Sequence, residues 1–303
     1  MRNIIKGPKI TWIDIQNPNQ EDIEFLKKNF KFHPLVLKEL IPPGHRPKVE
    51  RYKDYLFMIL YYPVHSKDKR ETRPRELDIL VAKNVLITSR YKSMLPLKSL
   101  FDKCNLYPEI RKRYMNWSAG YLLFLLLNSI WKNSLIKLDR IDAKIEAIES
   151  EMFQGKEKEM VREISLIKTD IMNFWRIVEP QIETLEQLCR EGTIFFGRRF
   201  YPYFSNIVGT CARAWNALKT FKETVLALED TNQSLLSTKT NEVIQILTVF
   251  SVILMPLTLI ASIWGMNVSL PFANSPLGFW IIMIMMLFFM GFFFFFFRKK
   301  KWL

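Results

Sequence analysis

The sequence is poor in the residues that build most metal and redox centres. Only three cysteines occur in 303 residues, Cys104, Cys189 and Cys211. They are odd in number, widely spaced and form no Cys-x-x-Cys pair. A disulfide framework and a dithiol centre are therefore excluded, and reduced thiols in a cytosolic domain are expected. The three histidines, His33, His45 and His65, show no ligand spacing, and no nucleophile–base constellation accompanies them, which leaves a metal-dependent enzyme without support. The opening "MRNIIKGPKI" lacks an apolar core of signal-peptide length and is not an Arg/Ser-rich transit sequence. The residues up to about 240 are accordingly expected to stay inside the cell. No Lys/Arg run is interleaved with stacking aromatics, so the net charge of +14 does not point to nucleic acid. Attraction to an anionic cytoplasmic leaflet accounts for it.

The largest absence is of charge. From Val243 to Phe297 there is no Asp, Glu, Lys or Arg, so the 44 basic and 30 acidic residues lie before that tract or in the last six positions. Within it, Ile246 to Trp264 and Leu277 to Phe297 are 19 and 21 residues long. Each suffices to cross roughly 30 Å of hydrocarbon as a helix. The 12 residues between them, 265–276, can only turn the chain around on the far side. Lys239 precedes the first span and Arg298 to Lys301 follow the second, whereas the connector has no cation. Both termini are thus expected in the cytoplasm, with the protein in the plasma (inner) membrane.

Ahead of the spans, Lys9 to Ile15, Asp54 to Val64 and Leu77 to Tyr91 read as strands, the last with a turn at Lys83-Asn84. "NQEDIEFLKKNF" reads as a helix with Asn19 as N-cap. After Leu95 strand signals vanish, and two long amphipathic helical segments follow, broken at Gly155. The fold class expected is a cytosolic α/β domain, a mixed sheet flanked by helices (1–203, with a helical hairpin), followed by a long stalk helix and two membrane helices. No proline interrupts the chain between Pro202 and Pro256, and its only glycine there is Gly209, so one helix is expected from about Phe204 through the membrane to Trp264. Its cytosolic part, 204–245, carries Ile207, Cys211, Ala214, Leu218, Phe221, Val225 and Leu228 at alternating steps of four and three, a stripe for packing on other helices.

In the membrane the stripe changes character. Asn241, Ile244, Thr248, Ser251, Met255, Thr258, Ser262 and Gly265 repeat at three and four, but these residues are mostly polar or small and lie on a different phase. Such a stripe faces protein or water: either small-residue packing, with hydroxyls bonded to their own backbone, or a pore wall. Two spans are too few to enclose a conduit, so a pore would be shared by several subunits. Pro256 sits mid-span and permits a kink.

"TNEVIQILTVF", "MPLTLIASIWGMN" and the basic end "RKKKWL" resemble the CorA-type magnesium transporter family, whose signature is a Gly-Met-Asn triplet after the first span. "HPLVLKEL", "RPKVERYKDYLFMIL" and "ELDILVAKNVLITSR" extend the resemblance over nearly the whole chain. The resemblance implies a homopentamer with a funnel-shaped cytosolic domain and a pore lined by the first membrane helix of each subunit. Gly265, Met266 and Asn267 would form the outer selectivity ring, and Thr258 and Asn241 further polar rings. Ile244, Leu247 and Met255 would form apolar constrictions, with Ser251 and Ser262 lining between them. Leu247 is adjacent to the stripe, where Thr248 sits. Neutral amide and carbonyl oxygens suit Mg²⁺, which sheds water reluctantly, better than a carboxylate ring that would hold it too tightly. No cofactor is needed, because two charges falling through 100 mV gain about 4.6 kcal/mol.

The departures from the family are specific. The connector lacks acidic residues, which weakens concentration of cations at the mouth. Trp264 stands where tyrosine is usual. Glu39 keeps an acid at one of the family's regulatory Mg²⁺ positions, but its neighbour is Lys38 and the facing stalk residue is Asn206, so weaker or differently placed divalent regulation is expected. The alternatives are transport of another divalent ion, Co²⁺, Ni²⁺ or Zn²⁺, and a membrane-anchored scaffold whose hairpin only anchors it; Met266 argues against zinc.

Overall fold

The computed structural model describes residues 2–66, 71–267, 276–300 and 302. It divides into two compact units, Met1–Glu229 and Asp230–Leu303. In the first, β1 (Arg2–Lys6), β2 (Thr11–Gln16), β3 (Lys48–Arg51), β4 (Tyr55–Ser66), β5 (Glu71–Ala82) and β6 (Val85–Arg90) form one sheet in the order β1-β2-β6-β5-β4-β3. Only β2 and β6 are parallel, with Ile13 opposite Ile87; the other pairs are antiparallel. This is the expected mixed sheet with helices on it.

Strand alternation sends residues to two covered faces. Ile13, Ile15, Phe57, Ile59, Leu80 and Ile87 form a core with Leu26 of α1 (Gln20–Asn29), Val36 and Leu37 of α2 (Pro34–Glu39), and Leu40. Trp12, Met58, Leu60, Tyr62 and Ile79 are buried on the opposite face. That face is covered by α5 (Ala119–Met152) and α6 (Glu157–Phe196), while α3 (Leu95–Leu106) and α4 (Pro108–Met115) pack beside α5. Tyr62 meets Trp131 of α5 edge-on at 5.4 Å, and Phe101 of α3 meets Trp12 at 5.0 Å.

Local chemistry fixes several boundaries. The Asn19 side chain accepts from the Asp22 N–H at 3.0 Å, and the Asp22 carboxylate accepts from the Asn19 N–H at 3.3 Å, a reciprocal cap that starts α1. Gly155, at φ +91°, turns the chain between α5 and α6. β5 begins six residues before the expected Leu77 because β4 pairs with its whole length, Pro63 facing Pro74. β6 pairs only with Asp78 to Val81, so Pro74 lies where no second strand needs its missing N–H. β1 and β3, absent from the sequence reading, are short marginal strands held by their neighbours.

α7 (Tyr201–Trp264) is a single helix of 64 residues that starts three residues before the expected Phe204 and includes Pro256. In the first unit its residues Ile207, Cys211, Ala214, Leu218, Val225 and Leu228 are buried, as the stripe predicts, whereas Phe221 is only partly covered. The three cysteines are free and buried. Burial raises their thiols, Cys104 to about 11, so they are held as inert thiols. In the second unit, α8 (Pro276–Lys299) runs two residues past Phe297 and takes Arg298 and Lys299 into its last turn, where the helix dipole favours cations.

Candidate functional site

The second unit consists of apolar surface with almost nothing covering it. α7 and α8 each contain a long apolar stretch that is almost entirely uncovered. These are membrane-span proportions. Reduced exposure falls on one strip of each helix: Val249, Ile253, Pro256 and Ile260 on α7, and Ile282, Met285, Phe289, Phe293 and Phe297 on α8.

The candidate residues Asn241, Ile244, Ser251, Met255, Thr258, Ser262 and Gly265 lie on the other side of α7, all exposed. At about 100° per residue, Ser251, Met255, Thr258 and Ser262 stand roughly opposite Val249, Ile253, Pro256 and Ile260. Leu247 and Thr248 are both exposed and flank that stripe, so the helix leaves both on its open side. Met255 is 72% exposed, more than any other large apolar residue of α7.

The hydroxyls on this side have fixed directions. Thr248 Oγ1 donates to the Ile244 carbonyl at 2.8 Å, Ser251 Oγ to Leu247 at 2.9 Å and Thr258 Oγ1 to Leu254 at 2.9 Å. The same i−4 bonds recur along the rest of α7, at Thr220, Thr224, Ser234, Thr238 and Thr240, so they satisfy the hydroxyls without separating helix packing from a pore wall.

At its end α7 tightens: the Gly265 N–H donates to Ala261 at 3.0 Å and the Met266 N–H to Ile263 at 3.3 Å. A Cβ on Gly265 would lie 3.3 Å from the Ala261 carbonyl oxygen, so glycine keeps this turn unstrained. The last carbonyls of a helix point beyond it and carry the negative end of its dipole. Gly265, Met266 and Asn267 sit at that end, all exposed. The site therefore presents oxygen dipoles without formal charge. The acid-free connector continues into 268–275, which lies outside the described residues.

The cytosolic candidates are arranged differently. Glu39 closes α2, and Lys48 Nζ lies 2.7 Å from its Oε2 and 2.8 Å from Glu50 Oε1. Burial alone would lower the Lys48 ammonium, but these two carboxylates outweigh it and raise it. Asn206 is exposed on α7, with no hydrogen bond joining it to Glu39. Among the described residues no three His, Cys, Asp or Glu side chains converge on a metal position.

Sequence reasoning passed over an acid pair near Glu39. Glu76 Oε2 accepts from the Gly44 N–H at 2.6 Å and from the Tyr61 hydroxyl at 2.5 Å. Asp78, two residues along β5 on the same face, is 1% exposed, and no donor reaches either oxygen. Burial, then the charges of Glu76 and Glu39, push its carboxyl well above the usual range. The available signal was a lone acid inside the apolar strand "LDILVA". A second buried acid, Asp14, is paired by Arg90 at 2.7 Å and by Thr88 Oγ1 at 2.8 Å.

Comparison with known proteins agrees with this architecture. Over 259 residues the chain is 29% identical to the cobalt/magnesium transport protein CorA of Thermotoga maritima, covering 85% of this chain and 73% of that protein. It is 25% identical over 279 residues to the protein of the same name in Methanocaldococcus jannaschii, covering 91% and 86%. The solved structure of the complete CorA magnesium transporter from Methanocaldococcus jannaschii superposes with a TM-score of 0.85 at 24% identity, over 97% of this chain and 92% of that one. Residues 7–299 match the family model described as CorA-like Mg²⁺ transporter protein. A sheet under helices, a helix running into a first span, Gly-Met-Asn at its end and a second span are thus the parts of one architecture, and the chain belongs to the CorA-like Mg²⁺ transporter family.

Proposed function

We propose that this chain is a divalent-cation channel that admits Mg²⁺ down the membrane potential through a pore shared by five copies, with both termini in the cytoplasm. The observation that carries the reading is the open side of α7, where the exposed and uncharged stripe of Ser251, Met255, Thr258 and Ser262 leads to Gly265, Met266 and Asn267 at the helix end. Asn267 and the adjacent carbonyls select the hydrated ion. Thr258 and Asn241 form inner polar rings, Ser251 and Ser262 line the wall, and Ile244, Leu247 and Met255 narrow it. Neutral oxygens let the ion enter with its water and leave again.

Regulation by divalent ions at Glu39 is weak on this reading, because Lys48 already supplies the positive charge and Asn206 adds none. Added Mg²⁺ at millimolar levels is expected neither to close the pore nor to protect the cytosolic unit from protease. Either effect would refute this part.

The central test is flux into proteoliposomes. Mg²⁺, Co²⁺, Ni²⁺ and Zn²⁺ are compared for the parent and for Asn267→Ala. Loss of selective Mg²⁺ flux in the variant is expected, whereas equal and equally selective flux would remove the filter assignment. A well-folded parent without flux would favour an anchored scaffold.

A further inference from the structure

Four chain connections meet at one end of the first unit: the β1–β2 turn with Lys9, the β5–β6 turn with Lys83 and Asn84, the α4–α5 junction with Trp117 and Ser118, and the 3₁₀ turn Arg198–Phe200 between α6 and α7. They are tied to one another. The Lys9 N–H donates to the Met115 carbonyl at 3.3 Å and the Thr11 N–H to the Asn84 carbonyl at 2.9 Å. A Cβ on Gly7 would fall 2.5 Å from the Met115 side chain, and one on Gly120 2.9 Å from the Phe196 ring. The β1–β2 turn therefore closes directly on α4, and the first turn of α5 on the end of α6. Two cavities of about 280 Å³ each open between these connections and share Lys9, Trp117, Ser118, Arg199 and Phe200. Together they have the size of a small-molecule pocket, a range that begins at roughly 300 Å³.

The charges here are unrelieved. Elsewhere in the unit cations stand beside acids, Arg51 by Glu191, Arg90 by Asp14 and Lys168 by Glu229. Neither cavity has an Asp or Glu among its described lining residues, yet Lys9, Lys83 and Arg199 all line one of them. Cations gathered without an acid repel one another and concentrate anions. The Arg199 guanidinium lies 5.4 Å from the centre of the buried Phe200 ring, a cation–π contact that holds it in place. Beside the cations is an open ring. Trp117 rests against Tyr121 at 5.0 Å but is 63% exposed, and it lines both cavities. Ser118 Oγ accepts from the Tyr121 N–H at 3.3 Å, which starts α5 and fixes the chain that carries the indole.

We propose that this junction binds a nucleoside polyphosphate, its base stacked on Trp117 and its phosphates held between Lys9, Lys83 and Arg199. Stacking on an aromatic side chain supplies affinity for any base, and a guanidinium takes a phosphate through paired N–H donors. An anion without a ring would leave the indole uncovered, and a nucleoside without phosphates would leave the three cations unrelieved. The sequence gives no sign of the site because its cations come from three turns that only the fold brings together.

The test uses the full-length protein in detergent and radiolabelled ATP in equilibrium dialysis with EDTA present. One saturable site per chain is expected, with adenosine and inorganic tripolyphosphate each displacing the label about tenfold less well than unlabelled ATP. Trp117→Ala should lower ATP affinity about tenfold and leave tripolyphosphate affinity unchanged. Lys83→Ala combined with Arg199→Ala should lower both by about tenfold. All three side chains are exposed, so the variants keep the fold. Absence of a saturable ATP site in the parent overturns the proposal. So does tripolyphosphate binding as tightly as ATP with no effect of Trp117→Ala, which would mark a general anion surface, and so does unchanged affinity in both variants. None of these outcomes bears on ion flux, which is scored separately.

Discussion

The two halves of α7 carry stripes of the same period in opposite circumstances. In the first unit Ile207, Cys211, Ala214 and Leu218 are apolar or small and buried. In the second, Ser251, Met255, Thr258 and Ser262 are mostly polar and exposed. A repeat of three and four says only that one helix side differs from the rest. Residue type decides the outcome: the apolar stripe of the first unit is covered by a core within the chain, whereas the hydroxyl-bearing stripe of the second is left exposed by its own chain.

The sharpest way to break that comparison is to remove a large side chain from each unit. Trp131 is 0% exposed and packs edge-on against Tyr62. Trp131→Ala should cost about 3–5 kcal/mol by lost transfer energy and the cavity left behind. Thermal unfolding of the full-length protein would then show the cytosolic transition lowered by about 10 °C or more. Phe288 on α8 is 68% exposed, and Phe288→Ala should leave the same transition in place. Equal shifts from both would mean that the two units are not energetically separate.

A second test sets two neighbours on α7 against each other. Ser251→Trp fills the open side and should reduce Mg²⁺ flux about a hundredfold, a barrier increase near 2.7 kcal/mol. Phe250→Trp points about 100° away and should change flux less than twofold. Proteoliposome uptake, with assembly checked by size-exclusion chromatography, decides. Flux loss at Phe250 but not at Ser251 would put the conducting face elsewhere.

What could be read ahead of the structure was whatever the chain encodes locally. The uninterrupted apolar spans, the Asn19 cap, the Lys83-Asn84 turn, Gly155 and the α7 stripes depend on neighbours within a few positions, and each occupies its expected place. β3, "KVER", has no strand signal of its own and exists because Val49 and Glu50 pair with Met58 and Phe57. The Glu39–Lys48 bond was illegible for the same reason, since the two residues meet only after β3 docks. For the membrane residues, spacing located the stripe, and the structure leaves it exposed on the side of α7 away from Val249, Ile253, Pro256 and Ile260.

The smallest effect, read per pH unit, concerns Asp78, a buried acid in the first unit that no donor reaches. Its carboxyl is raised by burial and then by Glu76 and Glu39, so the folded protein keeps a proton that the unfolded chain releases above its ordinary value of 3.8. The associated stability is fully present below that pH and is lost as pH rises toward the folded value. One retained proton sets the slope, at most about 1.4 kcal/mol per pH unit. Asp78→Asn keeps the shape and does not ionise. Parent and variant should therefore diverge as pH rises above 3.8 toward the folded value, the variant gaining about 3–6 °C per pH unit in the cytosolic transition. Parallel pH profiles would show that Asp78 is ionised in the fold and that an unseen partner satisfies it. A widening gap would show instead that the sheet tolerates this acid by keeping it neutral, while the membrane unit avoids the same cost by presenting only dipoles.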